Sequence, residues 1–272
     1  MANPFKKVED FENEINDFLN KNKTFISNQG KRISDYFEMS CYNYIVKFYE
    51  NQGFTIEVKN LKAKKFKYKL SPSGYPENFS FFEIRLKTIV EEKLKEICFE
   101  IHHNLTVQSG HQNDIYLTPD ISVINKESIV SENNHYLVEN STKKFCFVEN
   151  NNLQTFCEVK NFNPFPELLF NFVGLYNELK KEVLDKDEQR EYPKHLAPSL
   201  MISGKGNLHS EKIKKSLEDR YKINLLYDLF EHGLRSFSIY NSKFLNQIGS
   251  LNPKITEPII ITVIIDDEDL PF

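Results

Sequence analysis

Two short runs rich in β-branched and aromatic residues constrain this chain most. One spans Ile115 to Ile124 and carries Pro119-Asp120; the other spans Thr155 to Asn161 and carries Glu158-Val159-Lys160. Both compositions favour strands. Alternate side chains of a strand share a face, so Glu158 and Lys160 point one way and Cys157 and Val159 the other. If the Pro-Asp strand lies beside the second run, Asp120 meets Glu158 at a common point.

Two carboxylates and an ammonium at one point suit a hard divalent cation and a water aimed at phosphate. Magnesium, or manganese in its place, would take Asp120, Glu158, the backbone carbonyl of Val159, a phosphate oxygen and waters. Lys160 would orient or help deprotonate the water and offset charge on the phosphorane. In a chain with 27% charged residues, acid-x-Lys triplets also arise by composition alone. Glu57-Val58-Lys59, Glu91-Glu92-Lys93 and Glu178-Leu179-Lys180 are three more. What sets Glu158 apart is the strand-like run upstream holding the chain's only Pro-Asp pair.

The chain has 272 residues, 40% of them hydrophobic and 13% aromatic, enough for one globular domain with additions or two small ones. A net charge of -4 excludes diffuse basicity, so any nucleic-acid contact needs a local basic patch. Cys41, Cys98, Cys146 and Cys157 form no Cys-x-x-Cys pair and are expected as reduced, packed thiols rather than a disulfide or zinc framework. The opening MANPFKKVEDFENEI lacks a secretory apolar stretch, and no apolar run is long enough for a bilayer. A cytoplasmic protein without membrane contact is expected.

Val8, Phe11, Ile15, Phe18 and Leu19 repeat at helical spacing, and a second helix is predicted from Ile33 to Gln52, stopped by Gly53. Phe54, Ile56 and Val58 then alternate as a strand. Lys65, Lys67 and Lys69 alternate with Phe66, Tyr68 and Leu70, which predicts a strand with an ammonium face flanked by Lys62 and Lys64. Such a face either keeps an edge strand soluble or grips a phosphate backbone. Strands are also predicted at Ile97 to Val107 and Phe145 to Val148, while the pattern from 83 to 96 fits helix or strand. Pro164 and Pro166 open a helix with Leu168, Leu169, Phe172, Val173 and Tyr176 on its apolar face, followed by a solvated stretch to Arg190. Ser199 to Ser203 is a short buried strand, Ser210 to Tyr221 a helix, and Pro258 to Ile265 an apolar run. His102 and His103 fall on opposite faces of a strand, so with His111 they make a poor single metal site.

From Ile33 to Gly204, the motif and the order helix, strand, strand, strand, helix, strand resemble the PD-(D/E)XK nuclease superfamily. The resemblance implies an α/β, restriction-endonuclease-like core: a central mixed sheet flanked by helices, with N-terminal helical and C-terminal additions. It implies a magnesium-dependent DNA endonuclease with Asp120 and Glu158 as metal ligands, Lys160 as catalytic lysine and Glu38 of the first core helix as an accessory acid. Segments are then 1–30 (helical addition), 31–206 (core), 207–265 (additions) and 266–272 (acidic tip). The gap from Asp120 to Glu158, 38 positions (158 − 120), requires an inserted hairpin that includes Phe145 to Val148. Under this resemblance the lysine face becomes a DNA-backbone element.

The last residues, DDEDLPF, resemble the acidic tip of bacterial single-stranded-DNA-binding proteins. Leu270, Pro271 and Phe272 would then dock in an apolar pocket on proteins that recognise such tips, with a basic group taking the carboxylate. An ordinary solubilising tail accounts for the same residues. Two functions stay open: a nuclease acting on DNA, and a non-catalytic module that binds nucleic acid or protein on the same fold. Oligomeric state is undetermined, a homodimer included.

Overall fold

The computed structural model describes residues 8–27, 30–90, 93–133, 144–180 and 194–249. The amphipathic spacing near the N-terminus forms helix α1 (Val8–Asn20), which buries Phe11, Ile15 and Leu19. Helix α2 (Ile33–Asn51) starts where the Asp35 carboxylate reaches back to accept from Lys31 N at 2.7 Å and Arg32 N at 3.0 Å. It stops at Gly53, whose φ of 89° only glycine adopts without strain. Between those ends nearly every residue from Asp35 to Tyr49 is buried, so α2 is a central helix rather than a surface one.

Strands follow: β1 (Thr55–Lys59), β2 (Phe81–Val90), β3 (Lys93–His103), β4 (Val107–Gln108), β5 (Tyr116–Leu117), β6 (Ile121–Asn125), β7 (Ile129–Glu132) and β8 (Phe145–Val148). Then come β9 (Leu153–Lys160), α3 (Pro166–Lys180), β10 (His195–Leu196), β11 (Ser199–Ile202), α4 (Leu208–Arg220), β12 (Asn224–Leu226), α5 (Leu229–Ser236) and β13 (Gln247–Ile248). The main sheet runs β1-β2-β3-β6-β9-β11-β12, antiparallel from β1 to β9 and parallel from β9 to β12. It is a mixed sheet in an α/β fold. β5, β4, β8 and β7 form a small side sheet, and β10 pairs with β13.

Period-two alternation divides the buried side chains between two cores. Ile121, Val123, Cys157, Val159 and Met201 join the core built with α1, α2 and α5. Phe156, Leu200, Ile202 and Leu225 join the second, with Leu169, Phe172 and Tyr176 of α3 and Ile213 and Leu217 of α4. Helices therefore cover both faces of the sheet's β6–β12 half. The first core is dominated by rings: Phe37 stacks on Phe230 at 5.3 Å, and Phe11 meets Phe230 edge-on at 5.0 Å.

Several expectations are met. β2 and β3 pair antiparallel, so the described residues of the stretch that fitted helix or strand, 83–90 and 93–96, are strand. β7 and β8 pair antiparallel and supply the hairpin that the Asp120–Glu158 spacing requires. All four cysteines are free, with Cys41 and Cys157 buried but Cys98 and Cys146 only partly so.

Three expectations need correction. The run from Ile115 to Ile124 is two strands in different sheets, β5 and β6, because Pro119 offers no N–H to a ladder. Likewise Ile97 to Val107 breaks at Asn104, whose φ of 50° turns the chain out of β3. The lysine row is not a strand: Ala63 (φ 49°) and Lys64 (φ 61°) bend it, and only isolated bridges, Lys62 with Lys65 and Ile26 with Phe66, remain.

No helix among the described residues is long and apolar enough to cross a membrane. The stretch 181–193, the run 258–265 and the tip at Leu270, Pro271 and Phe272 lie outside the described residues. Phe37 is fully buried against two rings, so Phe37→Ala should cost about 3–5 kcal/mol, read as a lower urea midpoint with an unchanged slope.

Candidate active site

The site sits where β6 begins and β9 ends. The antiparallel register pairs Ile121 with Cys157, so one step further places residue 120 opposite residue 158. Asp120 stands just outside β6, after the proline break, which leaves its carboxylate free to turn toward β9. Its Oδ2 accepts the Val159 N–H at 2.6 Å and the Lys160 ammonium at 3.1 Å. The same Lys160 Nζ donates to Glu158 Oε2 at 2.7 Å. The two carboxylate oxygens are thus no further apart than those two contacts together allow. Within a strand a residue's N–H and C=O point to the same side, so the Val159 carbonyl also faces the Asp120 side.

Burial and the Asp120 charge push the Glu158 carboxyl up, to about 7, although Lys160 pulls it down. For Lys160, burial disfavours the charge, but two adjacent carboxylates outweigh it and hold the amine above its ordinary value. A like-charged, poorly solvated pair of acids next to a cation is stable only while a positive charge sits between them.

Glu38, on α2, lies at the neighbouring strand end. Its Oε1 accepts Asn104 Nδ2 at 2.7 Å and has His103 Nε2 at 2.8 Å, an ion-pair distance at an angle poor for a hydrogen bond. Burial would raise the Glu38 carboxyl, yet His103, Asn104 and Lys160 together bring it below its ordinary value. Among the described residues, the one trio of His, Cys, Asp or Glu ligand atoms all within 4.8 Å of one another is Asp228, Glu231 and His232. Glu38, Asp120 and Glu158 therefore do not bring three ligand oxygens that close to one another. Glu38 is a flanking acid tied down by its neighbours.

Asn104 is the residue of the candidate site that the sequence did not reveal. Its backbone N–H donates to the Asp120 carbonyl at 2.8 Å, its side-chain amide donates to Glu38 and, at 2.8 Å, to the Lys69 carbonyl, and its own carbonyl accepts Lys69 Nζ at 2.5 Å. One residue so joins α2, the end of β3 and the Asp120 segment. Its signal was faint: asparagine directly after a strand, a residue type that tolerates left-handed backbone.

This network also removes Lys69 from the proposed DNA-binding face. Its ammonium is buried between the carbonyls of Pro72 and Asn104, and burial lowers it to about 8. The other lysines have different surroundings. Lys62 binds Asn60 Oδ1 and the Glu77 carbonyl, Lys65 lies 5.1 Å over the Phe25 ring, Lys67 lies 4.9 Å over Phe79, and Lys64 is exposed.

The histidines separate as their strand positions require. His102 pairs with Glu100 at 2.9 Å under Phe81, His103 turns to Glu38, and His111 faces the Asn177 carbonyl. No family model, curated protein or solved structure matches the chain.

Asp120→Asn removes the like charge and should lower the Glu158 pKa, while burial, the larger cause, keeps it above an ordinary glutamate. Lys160→Met should raise it instead. A carboxyl-carbon NMR titration of both variants reads the two directions; parallel shifts would contradict the geometry.

Proposed function

We propose that this chain is a divalent-metal-dependent nuclease that hydrolyses phosphodiester bonds of DNA. The observation that carries it is Lys160 Nζ within 3.1 Å of Asp120 and 2.7 Å of Glu158 at the ends of adjacent antiparallel strands. The order α2, β3, β6, β9, α3, β11 adds support, since it is the order of the nuclease superfamily the motif resembles. The choice of DNA comes from that resemblance.

The donor set fits a hard cation: two nearby carboxylates and a backbone carbonyl, all oxygen, with the Glu158 carboxyl raised first by burial and then by the Asp120 charge. Asp120, Glu158 and the Val159 carbonyl would hold magnesium or manganese, which supplies Lewis-acid charge to a phosphate oxygen and acidifies its water. Lys160 can then turn from the carboxylates to orient the attacking water and to offset charge on the phosphoryl oxygens. Asp120 keeps Val159 in register through the 2.6 Å bond. Glu38 and Asn104 hold the Asp120 segment from the side.

A non-catalytic binder is the second reading, and one observation favours it. The Lys160 ammonium already neutralises the acid pair, as a purely structural cluster would. Incubation of plasmid DNA with magnesium, manganese or chelator separates the two. Nicking should require metal and fall about 10²–10⁴-fold in Asp120→Asn and in Lys160→Ala proteins with wild-type circular dichroism. Equal cutting by variants and wild type, or no uptake of manganese in a metal titration, refutes the nuclease.

A further inference from the structure

Beyond Lys160 the chain leaves β9 through Asn161, Phe162, Asn163, Pro164 and Phe165 before α3 begins. Phe162 and Phe165 are 42% and 44% exposed, and their rings lie 5.8 Å apart at 35°. Neither belongs to a core cluster. Two neighbouring phenyl rings left in solvent lose burial free energy unless something covers them.

The loop that carries them is held firmly. Gly204 N–H donates to the Phe162 carbonyl at 3.2 Å, Ser203 N–H donates to the Lys160 carbonyl at 3.1 Å, and Leu169 N–H donates to the Phe165 carbonyl at 3.3 Å. A Cβ on Gly204 would lie 2.1 Å from Asn163 Oδ1 and 2.9 Å from the Phe162 carbonyl, so only glycine lets β11 approach this closely. Pro164 and Pro166 fix further backbone angles. The rings are thus presented at little entropic cost, which is what a stacking platform needs.

Covalent geometry sets their distance from the reacting group. Two residues of chain span at most about 7 Å, and five at most about 18 Å, so the backbones of Phe162 and Phe165 lie within those distances of Lys160. A phosphodiester placed at Lys160 brings its own flanking bases to these rings. Stacking on an aromatic side chain needs an unstacked base face, which a closed duplex does not offer and a single strand does. Lys205, in the turn after Gly204, is 64% exposed, but its ammonium lies 3.4 Å from Glu231 and 3.9 Å from Asp228, so the rings rather than free charge carry the recognition.

We propose that Phe162 and Phe165 form a base-stacking platform and that the site takes single-stranded or locally unpaired nucleic acid. The proposal rests on the nuclease reading for the chemistry next to the rings, but its binding part is measurable without any cleavage. The probe is a fluorescein-labelled single-stranded oligonucleotide and its blunt duplex, titrated with the full chain in chelator and followed by anisotropy. The single strand should bind at least 10-fold tighter than the duplex. Phe162→Ala and Phe165→Ala should each weaken single-strand binding about 5- to 100-fold, and Phe162→Tyr should restore most of it. Both side chains are partly in solvent, and unchanged melting temperatures would confirm that the alanine variants stay folded. Equal affinity for strand and duplex, or alanine variants that bind like wild type, overturns the platform even if metal-dependent cutting is found. Ring-dependent single-strand binding with no cutting under any metal supports the platform and overturns the nuclease instead.

Discussion

Everything at the candidate site depends on the register of β6 on β9. With Ile121 opposite Cys157, the next position puts Asp120 opposite Glu158, and both acids then meet Lys160. A slip of one residue would turn Glu158 and Lys160 into the α2 core and bring Cys157 and Val159 out to the acids. The register is secured on the other face by the burial of Cys157, Val159, Ile121 and Val123 against α2, so core packing and site geometry are one constraint. The bulge between Val123 and Ile124 falls beyond this pairing and leaves the site end regular.

Around that register the polar groups form a supporting layer. Asn104 leaves β3 in left-handed backbone and touches Asp120, Glu38 and Lys69, three segments distant in sequence. Buried polar networks specify one arrangement because each unmade bond is expensive in a weakly polar interior. Glu38 is accordingly held below its ordinary pKa while Glu158 is held above, two glutamates of one site with opposite shifts. Glu38 has histidine and amide partners, whereas Glu158 is buried beside another carboxylate, and those surroundings set the difference.

The face beyond Lys160 is built by close backbone approach rather than by side-chain packing. Gly204 lets β11 lie against the loop at Asn163, and this proximity turns Phe162 and Phe165 outward. The acid–lysine cluster and the aromatic pair therefore both lie at the C-terminal end of β9. That placement is what joins the proposed phosphate chemistry to the proposed base stacking.

Much was legible in the sequence because it is local. Helical spacing gave α1, α2, α3 and α4, alternation gave β1 and β9, and Gly53 marked the end of α2. The choice of Asp120, Glu158 and Lys160 followed from strand periodicity, which fixes which neighbours share a face. The lysine row misled because alternation at 65–70 was real but no ladder forms there: Ala63 and Lys64 turn the chain just before it, only isolated bridges remain, and Lys69 found two buried carbonyls. Pro119 was seen as part of a motif, although its missing N–H also divided the run between two sheets. The role of Asn104, the opposite pKa shifts of Glu38 and Glu158, and the setting of Phe162 and Phe165 against Gly204 all arise between segments tens of residues apart. Sequence by itself determined which residues alternate, cap and break; the tertiary structure alone decided which of them meet, because desolvation and cross-strand register exist only once distant chain segments are packed together.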